Sequence, residues 1–221
     1  MTNNPPLKVV RIVQLLIVIQ LAIYGVIAWL SPHFDFYAKE VDRPLVTVVC
    51  LLLLNFVLHL WSLSLQLKLP DSTRLGCRIV LIGLLMRAIL IGSTPIQEVD
   101  IYRYMWDGVV VTQAISPFRY PPLAIADEEQ LAIESDVNTL RSLVASDAGI
   151  REVLHRVHYP ELSTVYPPAS QLVFAATAMV TPGHSSVATR LLIMKSWIVA
   201  FDLASLGCIW LLLRHFGKHT A

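Results

Sequence analysis

Charged residues are scarce in this sequence, and their scarcity excludes an ordinary soluble domain. Only 15% of the residues are charged and 55% are hydrophobic, whereas soluble domains average about 25% and about 45–50%. A soluble fold has too little interior for this surplus of apolar side chains, so the composition predicts a membrane protein. The formal net charge is only +1, which leaves no overall field to attract nucleic acid.

Cysteines and metal-binding motifs are also rare. The three cysteines are odd in number and have no CxxC spacing, so they indicate neither a disulfide framework nor a zinc site. His155 and His158 have a spacing that could suit zinc, but no Glu or third ligand stands at the spacing of a zinc motif. We therefore predict no bound metal and no cofactor.

Five apolar runs are candidates to cross the hydrocarbon core of a bilayer, which is about 30 Å thick. They cover residues 12–30, 44–65, 79–92, 165–180 and 191–213. The third and fourth runs are only about 14 to 16 residues long, so re-entrant or interfacial helices are the alternative for these two. The pattern predicts an all-α polytopic membrane protein with about five transmembrane helices. Its parts are N-terminal spans (1–92), one long loop (93–164) and C-terminal spans (165–221).

The positions of the basic residues predict the orientation of these spans. Lys8 and Arg11 precede the first run, and three more basic residues lie between the second and third runs: Lys68, Arg74 and Arg78. Short loops rich in Lys and Arg stay in the cytoplasm. By alternation, the N-terminus is cytoplasmic and loop 93–164 is external, as in a bacterial inner membrane. Arg214 and Lys218 would then also end outside, against the rule.

The long external loop is acidic and has helical periodicity. It holds eleven of the 16 acidic residues of the chain, against five arginines. Apolar residues recur at helical spacing within 133–144 and within 150–157, with Gly149 between the two stretches. This spacing predicts two juxtamembrane amphipathic helices. We expect an ordered cap on the membrane surface, because loops of this length in compact proteins are usually functional.

The segment PIQEVDIYRYMWDGVVVTQAISPFRYPP, residues 95–122, directly follows the third run. In a helix that begins near position 99, Asp100, Arg103 and Asp107 share one face. The opposite face carries Tyr102, Met105, Trp106 and Val109, and aromatic residues of this kind favour the headgroup level. We therefore predict a helix at the membrane surface with its charged face upward.

Two carboxylates at the start of this helix are candidates for chemistry. Glu98 points about 160° away from Asp100 on a continuous helix, so the two are not expected to work as a pair. Asp100 is the better candidate for chemistry, and Glu98 for capping or acceptor contacts. The alternative is that both residues merely cap the helix and favour its positive end.

Segment 95–122 resembles the first catalytic loop of the membrane-embedded GT-C glycosyltransferases that use a polyprenyl-phosphate sugar, notably mannosyltransferases. The resemblance rests on EVD, YRYMWDG and SPFRYPP, and on HYPELSTVYPPASQ at residues 158–171. Lys195 and Asp202 in the last run resemble a basic and an acidic residue of a corresponding family helix. Family members are about twice as long, so we expect this chain to correspond to the N-terminal half of such an enzyme.

The resemblance implies a hexosyltransferase that moves a sugar, with mannose as the family expectation, to a lipid or glycan acceptor with inversion. It does not require a metal. Asp100 would be the general base, with Glu98 as a second catalytic carboxylate. The expected contacts to donor or acceptor come from six further residues: Arg87, Arg103, Asp107, Arg119, Tyr120 and Tyr166.

Other functions remain open at this point. The chain could be a noncatalytic or truncated membrane component, or a transporter fragment, since Arg87, Lys195 and Asp202 lie at membrane depth. Arg87 could instead reach the headgroups from its position near the end of the third run. Asp202 is too far along the helix axis from Lys195 to pair with it readily, so we expect it to face another helix. It would then anchor the helix bundle or belong to an ion path.

Overall fold

The computed structural model describes residues 7–69, 73–96, 99–126 and 134–216, without the side chains of Thr73 and Arg74. Within these ranges the regular elements are helical and no β-strand is present, which confirms the all-α prediction. The α-helices are α1 (Leu7–Leu30), α2 (Leu45–Gln66), α3 (Thr73–Ile91), α4 (Ile101–Thr112), α5 (Pro122–Ala126), α6 (Ser135–Ser146), α7 (Ala148–His155), α8 (Pro168–Val180) and α9 (Val187–His215). Two short 3₁₀ helices, Ser31–Phe34 and Glu40–Asp42, lie between α1 and α2.

The chain divides into two compact units. The first comprises residues 1–96 and 199–221, and the second comprises residues 97–198. The boundaries of the second unit lie near those of the predicted external loop at its start, but they extend further at its end to include α8 and the first part of α9.

Three segments are long and apolar enough to cross a membrane: Leu7–Phe34, Leu45–Gln66 and Val187–His215. They coincide with the first, second and fifth predicted runs. Helix α3 carries three arginines within its 19 residues, and α8 has only 13 residues, so neither meets the same criteria. The membrane character is therefore supported, while the predicted count of about five spans is not confirmed.

The first unit is built from helices with a narrow buried face. In α2 the buried residues Val48, Asn55 and Ser62 recur every seven positions, as expected when one stripe of a helix packs on a neighbour. Val48 belongs to a core cluster with Ile23 and Ile27 of α1. The other faces of these helices expose large apolar side chains, which suits contact with lipid.

The second unit is centred on α4, which is buried on nearly all sides. Trp106 is 2% exposed and Tyr102 is 3% exposed, and Arg103 and Asp107 are also buried at 6% and 1%. The predicted exposure of the charged face is therefore wrong for these two residues. The cause is tertiary, because α8 and the loop before it cover the face that a lone surface helix would present to water.

Candidate functional site

Asp100 directly precedes α4, and its side chain is partly exposed. It makes no side-chain capping hydrogen bond to the first turn of α4, which argues against a purely capping role. Instead, the Tyr166 hydroxyl donates a hydrogen bond to Asp100 Oδ2. Tyr104, one turn into α4, also hydrogen-bonds Tyr166. We call Asp100, Tyr104 and Tyr166 the aspartate–tyrosine cluster.

The rings of this cluster are held by aromatic packing. Tyr104 and Tyr166 meet edge to face with 4.8 Å between ring centroids, and Tyr104 stacks on Phe174 of α8 at 4.7 Å. Burial raises the pKa of Tyr166 well above its usual range, and the hydrogen bonds to Asp100 and Tyr104 raise it further. The Tyr166 hydroxyl therefore stays protonated at neutral pH and acts as a donor to the carboxylate.

A second polar group lies behind the cluster, between α4 and α8. Gln171 Nε2 lies 3.1 Å from Asp107 Oδ2 and 3.1 Å from Thr164 Oγ1. Burial raises the pKa of Asp107, against the opposing effects of hydrogen bonds from Thr164 and Gln171 and of the Arg103 charge. The arrangement joins two helices through a carboxylate that is only 1% exposed.

Arg103 binds the backbone of the loop before α8. Its guanidinium donates to the carbonyl oxygens of Leu162 at 2.9 Å and Tyr159 at 2.8 Å. Tyr159 has a φ of 51°, a backbone conformation that is uncommon for a bulky residue and needs such support. Arg103 therefore shapes the loop that leads to Tyr166. The sequence did not reveal that this arginine is buried.

Arg119 and Tyr120 lie in a surface cluster with two acidic residues. Arg119 pairs with Glu134 at 2.9 Å and with Asp136 at 3.0 Å. The Tyr120 hydroxyl donates to Glu134. Partial desolvation, followed by the hydrogen bond to Glu134, raises the pKa of Tyr120 to about 12. These contacts tie the segment before α5 to the start of α6 and leave the Arg119 side chain 58% exposed.

In the first unit, Arg87 of α3 donates a hydrogen bond from Nε to Asp202 of α9. Its Nη1 also donates to the Gly83 carbonyl oxygen at 3.0 Å. The expectation that Asp202 faces another helix rather than Lys195 is confirmed by this pair.

The remaining predicted catalytic residue, Glu98, lies outside the described residues.

Three residues of the site were not singled out from the sequence: Tyr104, Thr164 and Gln171. Tyr104 stands four positions after Asp100, a spacing that places two side chains on one helix face, so a signal for it was present. Gln171 is 64 positions from Asp107, and only the pairing of α4 with α8 brings the two together. Within the described ranges, no group of three or more His, Cys, Asp or Glu residues could hold a metal ion.

The fold and the cluster define a class: a helical membrane protein with a carboxylate held among tyrosines. Comparison with protein-family models, with curated proteins and with solved structures gave no match. A more particular assignment depends on the geometry of the cluster and on the two sequence segments that form it.

Proposed function

We propose that this chain is a membrane glycosyltransferase of the GT-C kind, or the N-terminal half of one. It would move a sugar, with mannose as the family-level expectation, from a polyprenyl-phosphate donor to a lipid or glycan acceptor. The observation that carries the proposal is the hydrogen bond between Asp100 and Tyr166, which are 66 positions apart. It joins the two long segments on which the resemblance rests, 95–122 and 158–171, at one carboxylate.

The proposed reaction is a single displacement with inversion. Asp100 takes the proton of the acceptor hydroxyl, and the hydroxyl oxygen attacks the anomeric carbon. The bond from that carbon to the phosphate oxygen breaks, and the lipid phosphate leaves with the electron pair. A positioned general base contributes about 10²–10⁴-fold to such a rate.

The negative charge of the leaving phosphate needs a cation nearby. The three candidate arginines differ in their exposure and in their partners. Arg103 is 6% exposed and donates to backbone carbonyls, so it supports the site rather than the phosphate. Arg87 is paired with Asp202. Arg119 is exposed and carries a planar guanidinium that matches phosphate oxygens. We therefore propose Arg119, with Tyr120 beside it, as the phosphate-side contact, exchanging its carboxylate partners for the donor.

The test is transfer of labelled sugar from polyprenyl-phosphate donors by membranes that contain the full-length protein. Asp100→Asn is expected to lower the rate by about 10²–10⁴-fold, because an amide cannot accept the proton. Asp42→Asn, at an exposed position in the 3₁₀ helix Glu40–Asp42, is the matched control and should keep the wild-type rate. Retained transfer by Asp100→Asn at equal membrane levels would remove Asp100 as the base.

We also propose a membrane topology that accommodates α3 and α8. Helix α3 spans the bilayer in spite of its arginines, because Arg87 is paired with Asp202 and Arg74 and Arg78 lie toward its cytoplasmic start. Helix α8, with 13 residues, is only about 20 Å long at 1.5 Å per residue. That is shorter than a bilayer core of about 30 Å, which favours the re-entrant or interfacial alternative.

With four crossings instead of five, the predicted location of the C-terminal residues changes from outside to the cytoplasm. With α1, α2 and α3 crossing and α8 re-entrant, loop 93–164 stays external and α9 returns to the cytoplasm. Arg214 and Lys218 would then lie in the cytoplasm, in agreement with the positive-inside rule. This topology removes the violation that a five-span arrangement requires.

The Arg87–Asp202 pair bears on the transporter alternative. A charge within a membrane helix is costly unless it is paired or faces water, and here each charge is the partner of the other. The pair therefore supports an anchor between α3 and α9 over an ion path. A noncatalytic component, the other alternative, would show no sugar transfer in the assay above.

A further inference from the structure

We propose that Tyr166 is a positioning residue for Asp100, and that Tyr104 assists it. The Tyr166 hydroxyl fixes the orientation of the carboxylate at the start of α4, so that the acceptor hydroxyl meets a preset oxygen. This inference rests on the proposed function, in which Asp100 is the base. It gives Tyr166 a role toward the base rather than the contact to the sugar that the resemblance implies.

The backbone that carries Tyr166 is rigid on both sides. Pro167 and Pro168 follow it, with Pro167 in an extended conformation (φ −64°, ψ 157°) before α8 begins. A proline ring fixes its own φ and restricts the residue before it. On the preceding side, Arg103 holds the Leu162 carbonyl. The position of Tyr166 is therefore set by covalent restriction and by a buried guanidinium.

The ring of Tyr166 is held by two aromatic neighbours. Tyr104 approaches it at 4.8 Å with an interplanar angle of 85°, and Phe174 at 6.0 Å with 83°. Such edge-to-face pairs are favourable and directional. The phenol can therefore present its hydroxyl to Asp100 with little loss of rotamer freedom at the moment of reaction.

The polar group behind the cluster links the backbone of Tyr166 to the core of the unit. Gln171, which bonds Asp107 at 3.1 Å, also lies 3.5 Å from the Tyr166 carbonyl oxygen. Asp107 is on the same helix as Tyr104, one turn further along. Helices α4 and α8, which begin directly after Asp100 and shortly after Tyr166, are thus held in register by a buried contact close to both residues.

Catalysis is sensitive to such registration. A reacting group displaced by about 1 Å can lose about 10²-fold in rate, although substrate still binds. Loss of a positioning hydroxyl therefore lowers kcat and leaves KM nearly unchanged, whereas loss of a sugar contact raises KM. The two roles of Tyr166 are distinguished by this difference.

The experiment compares wild-type protein with Tyr166→Phe, Tyr104→Phe and Tyr102→Phe in the sugar-transfer assay, using the full chain in membranes. Tyr166→Phe is expected to lower kcat by about 10- to 100-fold with KM within about twofold. Tyr104→Phe, which removes the second hydroxyl, should lower kcat by a smaller factor. Tyr102→Phe is the matched control on the same helix, since the Tyr102 hydroxyl accepts a hydrogen bond from Arg156 Nη1 at 3.2 Å, and both kcat and KM should keep their wild-type values.

Several outcomes would overturn the inference. A raised KM with unchanged kcat in Tyr166→Phe would return the residue to substrate binding, and unchanged constants would remove any role. If Tyr166→Phe does not accumulate in membranes, an unchanged kcat in Tyr104→Phe overturns the assisted arrangement. Loss of transfer in Asp100→Asn with full transfer in Tyr166→Phe defeats this inference alone. Absence of transfer by the wild-type protein defeats both it and the proposed function.

Discussion

Asp147 shows how a single buried carboxylate can hold an irregular part of the second unit. Its Oδ1 accepts from the backbone nitrogens of Gly149 at 2.8 Å and Ile150 at 3.0 Å, which caps α7. Its Oδ2 accepts from Arg190 at 2.7 Å and from the His184 backbone nitrogen at 3.0 Å. Burial alone would raise the pKa of Asp147, but these donors and the Arg190 charge lower it below the ordinary value.

The lowered pKa gives the first stability prediction. Because the folded value lies below the unfolded value of about 3.9, Asp147 contributes its full stability above that pH and loses it as pH falls through the folded value. Asp147→Asn is expected to cost about 3–5 kcal/mol at pH 7, because it leaves a buried arginine unpaired. Thermal unfolding of the purified protein in detergent at pH 7 and pH 3 measures this, and the deficit should shrink at the lower pH.

The control for this prediction lies on the same helix. Glu152 pairs with Arg156 at 2.7 Å but is one-third exposed. Glu152→Gln is expected to cost no more than about 0.5 kcal/mol, as is usual for such pairs. Equal losses of unfolding free energy in Asp147→Asn and Glu152→Gln would contradict the prediction that the buried Asp147–Arg190 pair contributes more to stability than the partly exposed Glu152–Arg156 pair.

At the scale of elements, the packing of α4 on α8 places the candidate base. Three successive contacts align the helices: Tyr104 stacks on Phe174, Asp107 binds Gln171, and Gly108 touches the α8 backbone. A Cβ atom added at Gly108 would lie 2.3 Å from the Phe174 carbonyl oxygen. The absence of a side chain at this position lets the two backbones approach closely enough for the polar contacts to form.

This close approach predicts that replacing Gly108 by alanine destabilises the protein, which is the opposite of the usual effect within a helix. Gly→Ala within a helix normally stabilises by about 0.8–1 kcal/mol, but Gly108→Ala must push α8 away and is expected to cost about 1–3 kcal/mol. The same thermal unfolding assay measures it. Sugar transfer should fall as well, because Tyr166 would move away from Asp100.

Gly207→Ala in α9 is the matched control. A Cβ atom there meets nothing within 4 Å, so the substitution should be neutral or stabilising. A neutral result at Gly108 would contradict the close packing of α4 on α8.

At the scale of the whole molecule, the proposed topology places the residues after α9 in the cytoplasm. Single cysteines can test this in a variant whose three natural cysteines are replaced, with a membrane-impermeant maleimide added to intact cells. Tyr37→Cys, between α1 and α2 on the side that this topology places outside, should be labelled, and Lys68→Cys should be protected. Lys218→Cys is expected to be protected as well.

A labelled position 218 would contradict a re-entrant α8 and support five crossings. Labelling at position 68, or protection at position 37, would instead reverse the orientation of the first two spans. A reversed orientation would place loop 93–164 in the cytoplasm, whereas the proposed reaction takes place on the external side.

The sequence by itself determined the helical class and the membrane character, because both follow from local composition and periodicity. It indicated helix α4 to within two residues of its start at Ile101, and it singled out Asp100 and Tyr166 separately. It placed a break at Gly149, whereas α7 begins at Ala148 under the cap of Asp147. The spacing of apolar residues does not show that the Asp147 side chain caps a helix, so it could not place the start of α7 before Gly149.

Only the tertiary structure decided which charges are buried. Arg103 and Asp107 have the spacing of an exposed stripe, and no local signal shows that α8 and its preceding loop cover them. The contacts of Asp100 with Tyr166 and of Arg87 with Asp202 join positions 66 and 115 residues apart. Periodicity assigns a side chain to a face of its own helix, but the identity of its partner depends on how the chain returns, which is a property of the packed molecule.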